Sequence, residues 1–430
     1  MPERQPNLDP ETLFGILDVS RLLAVPIELR ELLGRVIDAG RRILGVDRGT
    51  VFLYDDGTKE LYATVATGSV EREMRFSVDR GIAGQCARER QVINVPDCYA
   101  DPRFNREIDR RTGYRTRCLM AVPLIGLEDE LVGVMQLLNP DKPRFDETDE
   151  RIGAALGAQA AVAIQRARLI EDRMARLKLE ADLDLARSIQ MNVLPKTLPA
   201  SPGYDLADFS EPADQTGGDI YDVVPLDAAG ADGGAQRLML FLADATGHGI
   251  GPALSVTQAR AMLRMALRYS HDLDELLRHI NAQLTDDLES SRFVTAFVGV
   301  LDAQRHRVTF HAPGQGPLLH FQAANRECRW FDATTIPLGI MDDPPEVEAV
   351  EPIEMAPGDM LVLLTDGFYE YQSVDSEEFG RDRVGEVVTA HCAESASKIV
   401  QRLVEEVRRF AGSAPQRDDL TALLVKRNGA

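Results

Sequence analysis

Four short motifs that combine aspartate with glycine or with a second acid stand in the second half of the chain. They read Gly217-Gly218-Asp219-Ile220-Tyr221-Asp222, Ala243-Asp244-Ala245-Thr246-Gly247-His248-Gly249, Thr365-Asp366-Gly367 and Arg417-Asp418-Asp419-Leu420-Thr421. Glycine lets the backbone turn sharply or approach another segment closely. Aspartate oxygens that converge repel one another unless a hard cation lies among them, and Mg²⁺ and Mn²⁺ prefer such oxygen ligands. The motifs therefore point to a divalent metal centre.

Apolar runs beside three of the motifs predict the strands that would hold these aspartates. They are Leu238–Ala243, Met360–Leu364 and Leu420–Val425. A lone Asp-Gly after a strand is usually a turn, and a lone histidine such as His248 is usually a hydrogen-bonded loop residue. Four motifs in order, within one region rich in short strands, favour one shared site instead.

From about residue 185 to residue 428, the sequence resembles the metal-dependent protein phosphatases of the 2C type. The closest likeness is to the bacterial branch of stage II sporulation protein E and the sigma-factor regulator phosphatases. The segments Ala186-Arg187-Ser188-Ile189-Gln190 and Leu194-Pro195 belong to the resemblance. It implies a β-sandwich flanked by helices, two Mn²⁺ or Mg²⁺ ions, and hydrolysis of phosphoserine or phosphothreonine by a metal-bound water.

The resemblance also implies roles for single residues. The implied metal ligands are Asp219, Asp244, the backbone carbonyl of Ala245, Asp366 and Asp418, with Asp419 as the less certain neighbour. His248 is a candidate general acid for the leaving serine oxygen. One stretch departs from the family, which carries Asn-Ala-Gly-His-Pro in the middle of the domain. This chain reads Ala312-Pro313-Gly314-Gln315-Gly316-Pro317, with Gln315 in place of the histidine.

Residues 26–170 resemble a GAF domain, the small-ligand sensor fold of cyclic-nucleotide phosphodiesterases. The segments that carry this likeness are Asp101-Pro102-Arg103-Phe104-Asn105, Thr112-Gly113-Tyr114, Met120–Leu124 and Asn139-Pro140…Phe145-x3-Asp149-Glu150. Pro140 replaces the family's lysine, so Lys142 is the candidate for its ion pair with aspartate. The resemblance implies an antiparallel sheet with flanking helices and a small-molecule ligand, for which a cyclic nucleotide is one candidate. The alternative is a GAF domain used mainly for dimerisation.

One long helix is predicted over residues 146–194, between Pro143 and Pro195. Ala167, Ile170, Met174, Leu177 and Ala181 follow steps of three and four, and Leu185 and Ile189 then follow steps of four. The first spacing is typical of a coiled coil and the second of a stutter. The pattern predicts a two-stranded linker in a homodimer, and the alternative is a helix packed on its own domain.

The resulting organisation is α+β in two domains. A lead-in helix over residues 1–25 precedes a GAF sensor domain over 26–164, a helical linker over 165–194 and a phosphatase domain over 195–430. An Ala/Gly/Asp tract, Asp227–Gly234, is predicted to be a flexible loop insertion.

Composition excludes several classes of protein. The 430 residues are 44% hydrophobic and 27% charged, as in an ordinary globular chain. Residues 1–199 hold 32 acids and 29 bases, and residues 200–430 hold 37 acids and 19 bases. Such an acidic surface argues against a nucleic-acid partner, because phosphate backbones attract lysine and arginine. No apolar run approaches the ~20 residues that span a membrane. The absence of a signal-peptide pattern and five scattered cysteines predict reduced thiols in a cytoplasmic protein.

The function predicted from these features is a serine/threonine phosphoprotein phosphatase regulated by a GAF sensor. The implied substrate is a phosphorylated anti-sigma antagonist of the STAS type. The alternative is a non-catalytic signalling scaffold that retains a vestigial metal site. A sensor histidine kinase is excluded because residues 1–247 contain no histidine to accept a phosphoryl group.

Overall fold

A computed structural model describes residues 21, 27–63, 74–227, 234–247, 249–289, 291–342 and 350–429. The chain divides into two compact units, Met1–Lys178 and Leu179–Ala430. Apart from Arg21, the predicted lead-in helix lies outside the described residues, as do His248 and most of the Ala/Gly/Asp tract.

The first unit is a six-stranded antiparallel sheet with helices, in the strand order β3-β2-β1-β6-β5-β4. Its elements are α1 (Leu29–Leu44), β1 (Val46–Asp55), β2 (Glu60–Ala63), β3 (Met74–Ser77), α2 (Gly81–Glu89), β4 (Ile93–Val95), α3 (Arg106–Thr112), β5 (Leu119–Ile125), β6 (Leu131–Pro140) and the first part of α4 (Glu147–Val193). Helix α1 buries Leu32, Leu33, Val36 and Ile37 along one face, and it ends at Gly45 with a φ of 58°. This arrangement is the antiparallel sheet with flanking helices that the sequence predicts.

The GAF-like signature of this unit is held by side-chain contacts. The Asn139 amide oxygen accepts from the backbone N–H of Arg117 at 2.7 Å, and its NH₂ group donates to the carbonyl of Arg115 at 2.9 Å. Lys142 Nζ lies 2.6 Å from an oxygen of the buried Asp149. The substitution of Lys142 for the family's missing lysine is therefore confirmed.

The second unit is a sandwich of two five-stranded antiparallel sheets with helices on both outer faces. Its elements after α4 are β7 (Tyr204–Glu211), β8 (Asp219–Pro225), β9 (Arg237–Ala245), α5 (Ile250–Ala266), α6 (Leu273–Asp287), β10 (Val294–Asp302), β11 (Arg307–His311), β12 (Leu318–Gln322), β13 (Glu327–Phe331), β14 (Ile353–Glu354), β15 (Met360–Leu364), α7 (Asp366–Tyr369), α8 (Gly380–Ala390), α9 (Ala396–Ala411) and β16 (Leu420–Arg427). The sheet orders are β14-β11-β10-β9-β8 and β13-β12-β15-β16-β7.

The apolar run of β15 shows how this sandwich is filled. Successive side chains of a strand point to opposite faces. Leu361 and Leu363 join the core between the two sheets, whereas Met360, Val362 and Leu364 join the core under helices α8 and α9. Both faces of the strand are buried, so the segment is apolar throughout, without alternation. The strand predicted over Met360–Leu364 has the same bounds as β15.

Helix α4 is continuous over 47 residues, and the boundary between the two units falls inside it. Ile152, Leu156, Ala160 and Ile164 step by four along its buried face. Ala167 is only 9% exposed and belongs to the same core, so it does not begin a solvent-facing seam as predicted. Farther on, Met174, Leu177, Leu185 and Ile189 are each more than half exposed. No described helix has the length and apolar character needed to cross a membrane.

All five cysteines are free thiols, as predicted. Cys86, Cys98 and Cys118 are fully buried, and burial raises the pKa of the Cys86 thiol to about 12. Cys98 and Cys118 belong to different core clusters of the first unit. These buried thiols are therefore packing residues, because a reactive cysteine needs exposure and a lowered pKa.

Candidate metal centre

Five predicted aspartates meet at one end of the sandwich. Asp219 opens β8 and lies directly opposite Asp244, near the end of β9, in antiparallel register. Asp366 opens α7 immediately after β15, and Asp418 and Asp419 immediately precede β16. One sheet thus supplies two of the carboxylates and the other sheet supplies three.

Burial and mutual repulsion raise the pKa values of these carboxylates. Burial, followed by repulsion from Asp366, Asp418 and Asp419, raises the pKa of Asp244 to about 8. Burial and the charges of Asp244 and Asp419 raise the pKa of Asp219 well above its ordinary value. Burial, with Asp418 as the next cause, raises the pKa of Asp366 to about 6. Such a cluster favours either bound protons or a cation.

Glycines allow the oxygens to approach so closely. A Cβ placed on Gly218 would lie 2.8 Å from the carbonyl oxygen of Ala245, 3.2 Å from Asp244 Oδ1 and 3.4 Å from the carbonyl oxygen of Gly247. These three oxygens therefore face a common point beside Gly218. On the opposite side, a Cβ on Gly367 would lie 2.0 Å from the carbonyl oxygen of Asp419. The donors are all oxygens, which suits Mg²⁺ or Mn²⁺.

The structure separates the roles of the adjacent pair Asp418 and Asp419. The Asp419 carboxylate is buried and accepts from the backbone N–H of Ala213 at 2.7 Å and of Asp219 at 3.3 Å. Asp418 is exposed, and its Oδ1 accepts from the Asp419 N–H at 2.8 Å. Asp419 therefore clasps the loop before β8, and Asp418 is the better candidate to reach an ion beside Asp366.

Throughout the part of the chain that the structure describes, no three histidine, cysteine, aspartate or glutamate side chains already form a metal-holding group. Protein donors occupy several of the oxygens, and the remaining carboxylates repel one another. The donor types and the charge fit a hard divalent cation, whereas the side-chain positions do not form a finished coordination sphere.

Thr365 holds the most buried carboxylate of the cluster. Its hydroxyl donates to Asp219 Oδ2 at 2.7 Å and accepts from the backbone N–H of Thr421 at 3.1 Å. The side chain is 1% exposed. The sequence shows Thr365 inside a motif but gives no sign of this role, which depends on two distant strands meeting.

Gln315, which departs from the family pattern, connects the two sheets. Its Oε1 accepts from the Thr295 hydroxyl at 3.0 Å, and its Nε2 donates to the carbonyl of Leu364 at 3.1 Å. Thr295 lies opposite Asp244, and Leu364 lies two residues before Asp366. Both polar atoms of the Gln315 amide are therefore hydrogen-bonded, and the side chain links the two strands that precede or face the carboxylates.

Gln190, near the end of α4, contacts the loop that leads into β8. Its Nε2 donates to the carbonyl of Gly217 at 2.6 Å, and the Gly217 N–H donates back to Oε1 at 3.1 Å. The paired hydrogen bonds are buried. They tie the C-terminal turns of this helix to the segment that carries Asp219.

Asp222, the second aspartate of the first motif, has a different task. It is fully buried on β8 and accepts from Arg264 Nε at 2.5 Å and Nη2 at 2.8 Å, while Arg260 Nε lies 2.8 Å away. Both arginines lie on α5. Asp222, Arg260 and Arg264 therefore attach α5 to the edge strand β8, and they are not part of the carboxylate cluster. The arginine spacing of four on one helix was the available signal for it.

Comparisons with known proteins agree with both halves of this description. Residues 234–428 match the family model of stage II sporulation protein E, and residues 28–164 match that of the GAF domain.

Among curated proteins, the chain is similar to the dual 3′,5′-cyclic-AMP and -GMP phosphodiesterase 11 of Drosophila melanogaster. The identity is 31% over 192 residues, which are 40% of this chain and 13% of that protein. It is also 28% identical to a probable 3′,5′-cyclic phosphodiesterase of Caenorhabditis elegans, over 36% of this chain and 23% of that one. The chain thus spans less than a quarter of the length of either relative.

Two solved structures are similar to part of the chain. The PP2C domain of SiaA from Pseudomonas aeruginosa is 24% identical, with a TM-score of 0.49, over 59% of this chain and 98% of that one. The RsbU and RsbW domains of Rv1364c from Mycobacterium tuberculosis are 24% identical, with a TM-score of 0.46, over 55% of this chain and 63% of that one.

Proposed function

We propose that this chain, which joins a GAF domain to a protein phosphatase 2C-like domain of the stage II sporulation protein E family, is a metal-dependent serine/threonine phosphoprotein phosphatase. The observation that carries the proposal is the convergence of Asp219, Asp244 and Asp366 from two sheets, each with its pKa raised by burial and by neighbouring carboxylates. A scaffold would have no reason to maintain such mutual repulsion.

The roles of the chain's own residues follow from their positions. Asp219, Asp244, the Ala245 carbonyl, Asp366 and Asp418 would hold a pair of Mn²⁺ or Mg²⁺ ions. When bound, such ions supply a water of lowered pKa and neutralise phosphoryl oxygens. Asp219 is buried and so is shielded from bulk water, and Thr365 and Gln315 link the two sheets by hydrogen bonds beside the site.

Two parts of the chemistry remain predictions. His248 is the candidate to protonate the leaving serine oxygen, and it lies outside the described residues. Asp419 is close enough to serve as a ligand, but its two oxygens already bind backbone N–H groups.

Regulation would run through α4. A small molecule, with a cyclic nucleotide as one candidate, would bind the GAF domain and favour one state of this helix. The paired hydrogen bonds between Gln190 and Gly217 give that change a physical path to Asp219. The exposed apolar side chains of Met174, Leu177, Leu185 and Ile189 support a homodimer formed along the helix.

The finer substrate assignment rests on the family resemblance. The substrate would be a phosphorylated STAS-type anti-sigma antagonist, encountered in the cytoplasm, where free thiols such as the five found here persist.

The experiment that tests the function is release of phosphate from a phosphoserine peptide by the full chain, with Mn²⁺, with Mg²⁺ and with a chelator. A phosphorylated STAS-domain protein serves as the second substrate. Metal-dependent release is the expected result. The scaffold alternative predicts neither release nor calorimetric binding of Mn²⁺.

A further inference from the structure

Arg292 lies at the rim of the candidate metal centre. Its neighbour Phe293 accepts from the Thr246 N–H at 3.2 Å and donates to the Thr246 hydroxyl at 3.3 Å. The next residue, Val294, lies opposite Ala245 in the ladder of β9 and β10. Arg292 therefore lies two residues before the point at which β10 pairs with Ala245.

The Arg292 guanidinium rests on the first turn of α5. A Cβ placed on Gly251 would lie 3.0 Å from Nη1 and 3.1 Å from both Cζ and Nη2. The absence of a side chain at Gly251 therefore leaves room for the planar group. Helix α5 is the next element after β9, whose last two residues are Asp244 and Ala245, so the guanidinium lies on the first turn of the helix that follows the metal-site strand.

This guanidinium is exposed, and it forms neither a hydrogen bond nor an ion pair with any residue that the structure describes. Its situation is unusual, because residues 200–430 carry 18 more acids than bases. The two arginines of α5 that face Asp222, by contrast, are engaged. Without an ion-pair partner among the described residues, this cationic group is available to an anion from solution.

We propose that Arg292 is a substrate-binding residue that grips the phosphoryl group presented to the carboxylate cluster. The planar fork of arginine matches two phosphate oxygens, and a charged donor strengthens both hydrogen bonds. An anionic substrate must approach five aspartates, so a cation at the rim offsets their repulsion. The inference rests on the proposed phosphatase function and adds the residue that orients its substrate.

The test uses the full chain and three variants, Arg292→Gln, Arg292→Lys and Arg268→Gln. Arg268 is an exposed arginine just beyond the other end of α5, so it is a matched control for net charge. Three quantities are measured for each protein: the affinity of the Mn²⁺-loaded form for inorganic phosphate, the Mn²⁺ affinity itself, and KM and kcat for p-nitrophenyl phosphate.

Arg292→Gln is expected to weaken phosphate binding and raise KM by roughly tenfold or more, as befits loss of charge-assisted hydrogen bonds, with Mn²⁺ affinity unchanged. The phosphate affinity and KM of Arg292→Lys should lie between those of the wild type and Arg292→Gln, because lysine keeps the positive charge but has no planar pair of donors. Arg268→Gln should match the wild type.

Three results would overturn the inference: phosphate affinity unchanged in Arg292→Gln, an equal loss in Arg268→Gln, or a loss that merely parallels weaker Mn²⁺ binding. A wild type that binds no phosphate overturns it as well. A wild type that binds phosphate through Arg292 but turns over no substrate would instead contradict the proposed function and leave the binding role standing.

Discussion

At the scale of single residues, the candidate centre depends on which carboxylate oxygens the protein itself occupies. Thr365 occupies one oxygen of Asp219, and backbone N–H groups occupy both oxygens of Asp419. Asp244, Asp366 and Asp418 repel one another instead, which contributes to the raised pKa values of Asp244 and Asp366. The protein donors therefore decide which oxygens are available to a metal.

Replacing Thr365 with valine tests whether its hydroxyl positions the Asp219 carboxylate. The valine keeps the shape and removes the hydroxyl, so Asp219 Oδ2 and the Thr421 N–H lose a buried partner. Such a loss costs about 1–3 kcal/mol in the free energy of unfolding, and Mn²⁺ affinity should fall with it. Urea unfolding and calorimetry measure the two effects. Thr365→Ser, which retains the hydroxyl, should restore Mn²⁺ affinity, and equal affinity in all three proteins would exclude the positioning role.

The raised pKa of Asp244 predicts how stability depends on pH. A carboxyl with a folded-state pKa of about 8 binds more protons when folded than when unfolded, so stability is lost as pH rises through that value. Between pH 7 and 9 the metal-free chain should lose about 1.4 kcal/mol through this group. Unfolded thiols such as Cys86, whose folded pKa burial raises to about 12, also ionise in this interval, so the share of Asp244 is the difference between the wild type and Asp244→Asn.

Urea unfolding at pH 7 and pH 9, with chelator or with Mg²⁺, measures the loss. A divalent ion should remove it by favouring the charged carboxylates, and Asp244→Asn should remove it without metal. Metal-free stability that rises over this interval would mean that the cluster is less buried and less crowded than the structure shows.

The sequence motifs predicted some residues of the candidate site and missed others. All five aspartates stood in motifs beside strands or glycines, and the structure brings them together. Thr365, Thr295 and Gln190 have roles that exist only once separate strands and a helix meet, so no local pattern signalled them. Arg292 was missed because a lone arginine in an acidic domain has no periodic signature.

At the scale of elements, long apolar patterns predicted the strands and helices best. Strands β9, β15 and β16 and helix α4 were recognisable because their apolar residues are continuous or regularly spaced. Strand β8, which begins with Asp219, was not recognised. It mixes two aspartates with apolar residues and ends in a proline, because one aspartate belongs to the site and the other holds α5.

Gln315 provides a test at this scale, because it joins β10 to the end of β15. Gln315→Leu would remove the donor to the Leu364 carbonyl and the shorter of the two hydrogen bonds of the Thr295 hydroxyl, which keeps its 3.3 Å bond to the Asp244 carbonyl. The free energy of unfolding should fall by about 1–3 kcal/mol. Gln315→His, which also offers one donor and one acceptor when neutral, should lose less.

The exposed Gln304 is the matched control, since its side chain lies on a turn at the surface. Gln304→Leu should unfold at the same urea concentration as the wild type. If Gln315→Leu is equally stable, the bridge between the sheets contributes nothing and the departure from the family pattern is neutral.

At the scale of the whole molecule, helix α4 belongs to both compact units. The sequence predicted its length from the absence of proline but misplaced the start of the seam, because the spacing of Ala167 is the same whether it faces its own core or a partner. Only the packing against the first unit's sheet decides this, and a helical period cannot show it.

The exposed apolar side chains of α4 predict a dimer of the 47.5-kDa chain. Leu177→Glu should produce a monomer in light scattering, because a charge in an a/d seam is poorly tolerated. Arg176→Glu, one residue away on the polar face, should remain dimeric. A wild type that is monomeric at micromolar concentration, or a Leu177→Glu protein that stays dimeric, would exclude this seam.

The most direct measurement for the molecule as a whole is hydrolysis of p-nitrophenyl phosphate against Mn²⁺ concentration. Wild type, Asp219→Asn and Asp375→Asn are compared, the last replacing an exposed aspartate that belongs to none of the four motifs. Metal-dependent turnover should be present in the wild type and Asp375→Asn, and should fall to background in Asp219→Asn. Turnover that survives chelation, or that Asp219→Asn retains, would contradict a phosphatase centre built on these carboxylates.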